Sequence, residues 1–225
     1  MSLDISIKGR RAVPADYAFE RVVLPAAQRA RRAVTCILTT VVLGFLSPLS
    51  EAGDEINVPE GFVLQHMDPT DGQIARPKDW FYTSSGTSNG WVWTFSKEDP
   101  AKGPYLTGMA IQLLVGVEKA TGHSREDFVN KIIADKRTTT KLVRDCERTD
   151  IGQFYRKCLE VIETIPLRGV PTEFHIIYSL MWGKDLDMIA ISIFGAPPET
   201  WPSARLIANS MAEFVLIGPG FGKAN

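Results

Sequence analysis

The sequence is poor in the side chains from which most catalytic and metal sites are built. It has 3 histidines and 3 cysteines among 225 residues. No His-Glu-x-x-His segment and no Cys/His cluster with ligand spacing occurs, which argues against a catalytic zinc. No Ser, His and Asp stand at spacings that would by themselves place them together. We therefore expect no catalytic residue, no metal and no cofactor.

A strong excess of charge of one sign is also missing. The chain carries 25 basic and 26 acidic residues, a formal net charge of −1, whereas a nucleic-acid-binding domain normally shows a basic excess. The balance is uneven along the chain, because residues 1–52 hold seven basic and four acidic residues. Subtraction leaves 18 basic and 22 acidic residues in 53–225. This acidic remainder predicts neither nucleic acid nor an anionic lipid surface as its partner.

The basic N-terminal segment has the layout of a secretory signal. An arginine cluster ending at Arg32 precedes the apolar run 33–46, and Pro48 follows it. Ser50 and Ala52 then supply small side chains at the −3 and −1 positions of a signal-peptidase site. We expect cleavage after Ala52 and a periplasmic or secreted product.

The same segment is also compatible with an uncleaved anchor. Residues 33–49 make 17 residues, the lower end of what can span a bilayer. The domain would then be membrane-anchored outside the cytoplasm, and this segment would be its only membrane contact. In either case we expect one signal or anchor segment, 1–52, and one globular domain, 53–225.

The pattern of residues 53–225 predicts strands with tight connections and two amphipathic helices. β-branched and aromatic runs bounded by turn residues predict strands at 62–67, 72–77, 80–84, 91–96, 107–117, 142–149, 153–165, 172–182 and 186–194. A capping box at Ser124 begins the first helix, and the last helix follows Pro198 and ends at Gly218. Tight connections require antiparallel neighbours, so the fold class is α+β.

The segment from Ile74 to Tyr82 resembles the "strand, Pro-x-x-Trp, strand" signature of PsbP-like domains, through Pro77 and Trp80. That superfamily also includes DcrB-type envelope proteins, a Ran-binding nuclear transport factor and chaperones of type VI secretion effectors. The resemblance implies a three-layer α/β/α sandwich with a central antiparallel sheet. It implies no shared activity, because members bind different partners and most are not enzymes.

Cys146 and Cys158 lie six residues on either side of Gly152. If the hairpin closes with a three-residue loop at 151–153, the two cysteines face each other and can form a disulfide in an oxidising compartment. The alternative is a pair of free thiols, since a slip of one residue would put them on opposite faces of the sheet.

Trp91, Trp93 and Phe95 share one face of a predicted strand. So much aromatic area in alternate positions is either core or a possible aromatic binding face.

These observations favour an exported, non-catalytic PsbP-like domain that binds a protein or a cell-envelope component. Two alternatives stay open. One is an extracytoplasmic hydrolase or small-ligand enzyme whose site is assembled from distant residues, with His66 or His175. The other is a membrane-tethered assembly chaperone.

Overall fold

Antiparallel strands dominate the computed structural model, which describes residues 56–218. The strands within this range are β1 (Phe62–Met67), β2 (Gly72–Pro77), β3 (Phe81–Thr87), β4 (Gly90–Ser96), β5 (Gly108–Val115), β6 (Lys141–Asp145), β7 (Thr149–Ile151), β8 (Phe154–Leu167), β9 (Val170–Gly183), β10 (Met188–Ala196) and β11 (Phe214–Val215). The helices are α1 (Val117–Thr121), α2 (Arg125–Thr139) and α3 (Trp201–Ser210). The signal segment, its cleavage site after Ala52 and Cys36 lie outside the described residues.

The strands form two sheets. The main sheet has eight strands in the order β3-β4-β5-β10-β9-β8-β6, with β7 paired to β8 as well. The small sheet has three strands in the order β1-β2-β11. All neighbours are antiparallel, from the hairpins to the pairing of β5 with β10. The predicted α+β class with a central antiparallel sheet is therefore confirmed.

Each face of the main sheet has its own core. One core is rich in aromatic residues and includes Trp93, Phe194 and Trp201, where α3 and the small sheet pack. The other is mostly aliphatic and includes Val129 and Ile133 of α2. The result is a three-layer sandwich: α3 and the small sheet form one outer layer, the main sheet is the central layer, and α2 lies in the other outer layer. The first two predicted strands belong to the outer layer with α3 and not to the central sheet.

Ser124 is the N-cap of α2, as predicted, although the acid of the predicted capping box bonds to the Ser124 hydroxyl and not to its backbone N–H. Its hydroxyl accepts a hydrogen bond from the Asp127 amide at 3.0 Å and donates one to the Asp127 carboxylate at 2.7 Å. The first of these bonds satisfies one of the backbone donors that a helix start leaves open. Val129 and Ile133 are buried while Asn130 and Lys131 are exposed, so α2 has the amphipathic stripe that its sequence indicates.

The prediction for the last helix is wrong at its end. The helix stops at Ser210 and not at Gly218, because the chain turns so that Phe214 pairs with Ile74 and adds β11 to the small sheet. Leu216 is buried after this turn. A helical pattern in the sequence does not distinguish such a turn when the residues that follow are also apolar.

Two smaller predictions also need correction. Trp80 precedes β3 and lies in the turn after β2, where its carbonyl accepts a hydrogen bond from Arg76 at 2.7 Å. The short helix α1 was not predicted; its first amides are capped by the carboxylate of Asp187, at 3.0 Å from the Glu118 nitrogen. Within residues 56–218, no helix has the length and apolar character needed to cross a bilayer.

Candidate functional site

A buried carboxylate marks the candidate site. Glu160 lies on β8 with only 3% of its side chain exposed, on the face of the main sheet that α3 covers. A carboxylate removed from water costs several kcal/mol unless charges or hydrogen bonds compensate it. The groups around Glu160 therefore determine how the cost of burying this side chain is offset.

Two arginines from different elements reach the same oxygen of this carboxylate. Arg144 on β6 places its Nε 3.3 Å from Glu160 Oε2, and Arg205 on α3 places one Nη 3.5 Å from the same atom. Charge-assisted hydrogen bonds are usually about 2.7–2.9 Å long, so both contacts are loose. Each guanidinium uses one nitrogen for Glu160, although its fork of donors can hold an oxyanion with two.

Both arginine side chains are about half exposed, 53% for Arg144 and 43% for Arg205. Their other guanidinium nitrogens form no hydrogen bond or ion pair with any residue in the range 56–218. Two guanidinium charges stand against one carboxylate, so the cluster presents excess positive charge to solvent. An oxyanion that approaches this surface meets unused donors.

A histidine completes the surroundings of Glu160. The Nε2 of His175 on β9 lies 2.9 Å from Glu160 Oε1, and the imidazole ring stacks on the indole of Trp201 at 4.1 Å between centroids, 12° from parallel. Trp201 begins α3 and also packs against Phe194. The stack fixes the position of the His175 ring and ties α3 to the sheet beside Glu160.

Two ring nitrogens in this cluster have unusual surroundings. The Nε2 of His175 is close to Glu160 but not aligned for a hydrogen bond, and the Nε1 of Trp201 is buried; neither has a hydrogen-bond partner among the described residues. Buried polar atoms in native proteins are nearly always satisfied. Both buried unsatisfied nitrogens of the described residues thus lie in this cluster, together with the open arginine donors.

The disulfide lies next to this cluster. The structure joins Cys146 and Cys158, the pairing expected from the sequence, and the Cys146 amide donates to the Cys158 carbonyl at 3.1 Å. The three-residue loop is wrong, however, because Ile151 pairs with Phe154 and leaves a two-residue turn. Thr149 lies opposite Arg156, whereas Asp145 lies opposite Leu159, so the pairing register shifts by one residue between them. In the shifted register Cys146 and Cys158 are opposite each other.

The disulfide therefore covalently attaches the end of β6 to β8 near Arg144. Cys158 is two residues from Glu160 on the same strand and the same face. β6 itself is exposed along its whole length, so few side-chain contacts hold it. The disulfide, the contact between Arg144 and Glu160, and the ion pair of Asp145 with Arg137 on α2 fix its position.

A second polar cluster lies on the opposite face of the sheet, under α2. Glu163 accepts a hydrogen bond from the Tyr178 hydroxyl at 2.7 Å and one from the Lys136 ammonium at 2.7 Å. Burial and the neighbouring Glu163 carboxylate raise the pKa of Tyr178 far above its usual range. This cluster is internally satisfied, and it joins α2 to the sheet.

The aromatic face predicted from Trp91, Trp93 and Phe95 lies on the core side. Trp93 and Phe95 are fully buried, and Trp91 is partly buried against the same cluster. The Trp93 indole donates to the Asp68 carbonyl at 2.7 Å. A binding-surface interpretation is therefore wrong for Trp93 and Phe95, because no partner could reach their rings.

The two histidines of the enzyme alternative have different surroundings. His66 is exposed on β1, with its Nδ1 3.4 Å from an Asp71 carboxylate oxygen. His175 is the one that lies beside a buried carboxylate. Among the described residues, no serine, threonine or cysteine is hydrogen-bonded to either ring, so neither forms the nucleophile–base pair that covalent catalysis needs.

One segment has the Gly-x-Ser-x-Gly spacing of a nucleophile elbow, from Gly86 to Gly90. It forms the turn between the antiparallel strands β3 and β4, whereas an elbow joins a strand to a helix. Gly90 is required there for packing, since a side chain at its φ of 155° would overlap the Leu113 carbonyl. The motif is a hairpin turn.

Metal binding finds no support in the described part of the chain. Within residues 56–218, no group of three or more His, Cys, Asp or Glu side chains is placed to hold an ion. The acidic residues near turns serve other purposes; for example, Asp187 caps α1 and Glu98 accepts hydrogen bonds from the amides of Leu106 and Thr107. The chemistry that the α3 face can perform is the binding of an oxyanion by arginine donors.

The sequence comparisons give no name to this site. No protein-family model matches the sequence, and no curated protein matches it.

Comparison of folds finds similar solved structures at low identity. The chain is similar to the cyanobacterial PsbP (CyanoP) of Synechocystis sp. PCC 6803, with 12% identity, 74% of this chain and 98% of that chain covered, and a TM-score of 0.42. It is also similar to the Ran-binding protein Mog1p of Saccharomyces cerevisiae, with 11% identity, coverage of 72% and 98%, and a TM-score of 0.43. LpqN of Mycobacterium tuberculosis, involved in cell envelope biogenesis, has 12% identity, coverage of 70% and 91%, and a TM-score of 0.40.

A PsbP structure is thus among the proteins to which the chain is similar, as the segment from Pro77 to Trp80 suggested. Trp80 itself is buried and stacks on Phe194 at 6.2 Å between centroids. The tryptophan of that motif therefore serves the core, and no function is transferred with it.

Proposed function

We propose that this chain is an exported, non-catalytic binding domain that holds a protein partner of the cell envelope. The binding surface is the α3 face around Glu160, with Arg144 and Arg205 as its contact residues. The observation that carries the proposal is the pair of half-exposed guanidinium groups loosely tethered to one buried carboxylate. Such a pair is positioned before any partner arrives, so less side-chain entropy is lost on binding.

Charge complementarity defines the partner's chemistry. Arg144 and Arg205 offer unused donors to a carboxylate, while the domain as a whole is acidic, with 22 acidic against 18 basic residues in 53–225. A negatively charged membrane surface is repelled by that overall charge. A protein segment with one or two acidic side chains can approach the arginines locally, so we take the partner to be a protein.

Export is supported by the signal layout of residues 1–52 and by the disulfide, since structural disulfides persist in oxidising compartments. Cell fractionation with N-terminal sequencing of the mature product tests it. The proposal expects a product beginning after Ala52 outside the cytoplasm. A retained N-terminus on a membrane-bound product would favour the tethered chaperone, and a cytoplasmic full-length product would contradict export.

Partner binding is tested by in-cell chemical cross-linking followed by quantitative mass spectrometry. The variant Arg144→Glu/Arg205→Glu is expected to lose one envelope protein that the wild type captures. Lys131→Glu is the matched control, because Lys131 is exposed on α2, on the other face of the sheet, and forms no hydrogen bond or ion pair with a described residue. Equal capture by the double variant and the wild type would contradict the assignment of the surface.

A hydrolytic function has one observation in its favour, the short distance between His175 and Glu160. The variant His175→Gln distinguishes a hydrolytic function from partner binding, because it removes the imidazole but keeps a polar side chain of similar length. The binding proposal expects this variant to keep most partner capture. Loss of a measurable hydrolytic turnover in a variant that stays folded would instead support the enzyme.

A further inference from the structure

Among residues 56–218, the strand β3 forms an edge of the main sheet without the charges, prolines or bulges that usually protect such an edge. It pairs with β4 on one side and with no other described strand. Its seven residues, Phe81–Thr87, include no charged residue and no proline, and only Tyr82 is partly buried. Natural proteins usually protect edge strands with charges, prolines, bulges or covering segments.

The ladder between β3 and β4 is regular from end to end. The pairs run without a shift from Phe81 opposite Ser96 to Thr87 opposite Gly90. In an antiparallel ladder every second residue directs its N–H and C=O away from the partner strand. β3 therefore presents a straight row of hydrogen-bonding groups along its free side.

We propose that this edge pairs with β3 of a second copy of the chain, in an antiparallel two-fold arrangement centred on Ser84. The proposal is independent of the function proposed for the α3 face. The full-length overlap places Phe81 opposite Thr87 of the second copy and Thr83 opposite Ser85 of the second copy. Aromatic with β-branched and threonine with serine are both favourable cross-strand combinations.

The remaining positions of this register also fit. Tyr82 stands opposite Gly86 of the second copy, where open space surrounds the position of a side chain, so no clash arises. Ser84 faces itself across the two-fold axis. In a two-fold strand pair, a charge at the central position would face its own copy, and β3 has no charge at any position.

A second copy is favoured over a foreign strand because it brings a segment of the same length whose side chains match in this register. The interface is isologous, and it closes after two copies. The main sheet would then continue from one copy into the other through the backbone hydrogen bonds of both β3 strands. The exposed Phe81, at 41% of its surface, would gain a neighbour.

Sedimentation equilibrium over a concentration series tests the pairing with the protein as cells process it. The average mass should rise with concentration from that of one copy towards that of two. Ser84→Lys should hold the mass at one copy, since it places two like charges face to face. Val143→Lys, on the opposite edge at a site 47% exposed, is the matched control and should still dimerise.

The register is tested by two double variants that differ only in the sign of the charge at position 85. Thr83→Lys/Ser85→Lys places lysine opposite lysine twice and should abolish the dimer. Thr83→Lys/Ser85→Glu places lysine opposite glutamate twice and should keep it. Circular dichroism and the thermal midpoint confirm that each variant folds.

A mass of one copy at every concentration would overturn the proposal, as would a dimer that Ser84→Lys leaves intact. Equal behaviour of the two double variants would overturn the register. None of these outcomes affects the test of Arg144 and Arg205, so the two proposals fail separately.

Discussion

The two edges of the main sheet are built in opposite ways. β6 has three charged residues in five, Lys141, Arg144 and Asp145, a register shift against β8 and a disulfide just beyond its end. β3 is uncharged, regular and joined to the sheet only through β4. The features of β6 disfavour pairing with a further strand, and its Arg144 contributes to the site around Glu160. The backbone of β3, in contrast, can still pair with another strand.

This difference shows how one sheet can provide two kinds of contact. At β6, specificity comes from side chains, because Arg144 and Arg205 can meet an oxyanion while Glu160 holds them in place. At β3, specificity comes from backbone pairing and from which side chains face each other.

Loss of the disulfide should have the largest effect on stability. Cys146→Ser/Cys158→Ser removes a link with a sequence separation of 12, and a loop of this size corresponds to about 3 kcal/mol of unfolding free energy. Urea denaturation of the variant and of the wild type in a reducing agent should give the same loss. A change below about 1 kcal/mol would show that other contacts hold β6.

Replacement of the buried carboxylate should come next. Glu160→Gln removes the charge that Arg144 and Arg205 share, at an expected cost of about 2 kcal/mol, the range of a hydrogen bond to a charged group. Glu173→Gln is the matched control, since Glu173 is exposed on β9 and contacts no described charge; its effect should stay within about 0.5 kcal/mol. Equal effects of the two variants would refute the structural role of the cluster.

Alkaline pH should distinguish the two sides of the sheet through their tyrosines. Burial raises the pKa of Tyr82 on β3, and burial together with Glu163 raises that of Tyr178 on β9 well beyond it. A raised folded-state pKa gives stability that is complete below the unfolded value of about 10 and is lost as the pH rises above it. Each such tyrosine can contribute a slope of up to about 1.4 kcal/mol per pH unit.

The measurement is the unfolding free energy between neutral pH and strongly alkaline pH. Tyr178→Phe should flatten the alkaline decrease more than Tyr82→Phe, because the Tyr178 hydroxyl is the more buried and hydrogen-bonds to a carboxylate. The opposite order would mean that the two sides do not differ in this way.

The smallest effect should come from the β3 edge. Ser84→Lys changes an exposed residue with no burial to lose, so the unfolding free energy of a dilute sample should change by no more than about 0.5 kcal/mol. The same variant should abolish self-association. A large loss of stability in the dilute sample would show that β3 depends on contacts at this position.

Local patterns predicted the elements of this fold better than their connections. The N-cap at Ser124 and the hairpin strands follow from neighbouring residues, and the structure has them. The end of α3 at Ser210 and the pairing of Phe214 with Ile74 depend on a contact distant in sequence. The cysteine pairing was predicted, but the register shift that permits it was not.

The candidate site was beyond sequence reasoning for the same reason. Arg144, Glu160, His175 and Arg205 come from four elements, and no spacing among them indicates that they meet. One signal was present, since Glu160 stands on β8 directly between two apolar residues, Leu159 and Val161. An acidic residue with apolar neighbours on a strand indicates a compensated charge, although not which residues compensate it.

Site-specific photo-cross-linking in intact cells tests the central claim most directly. A photo-reactive amino acid replaces Leu206, which is 69% exposed beside Arg205, or Ser85 on β3. We predict that position 206 captures another protein and loses it with Arg144→Glu, whereas position 85 captures a second copy of the chain. Capture of the same protein at both positions would contradict the proposed separation of the two surfaces. Capture at position 206 that is unchanged by Arg144→Glu would contradict the role of Arg144 in binding.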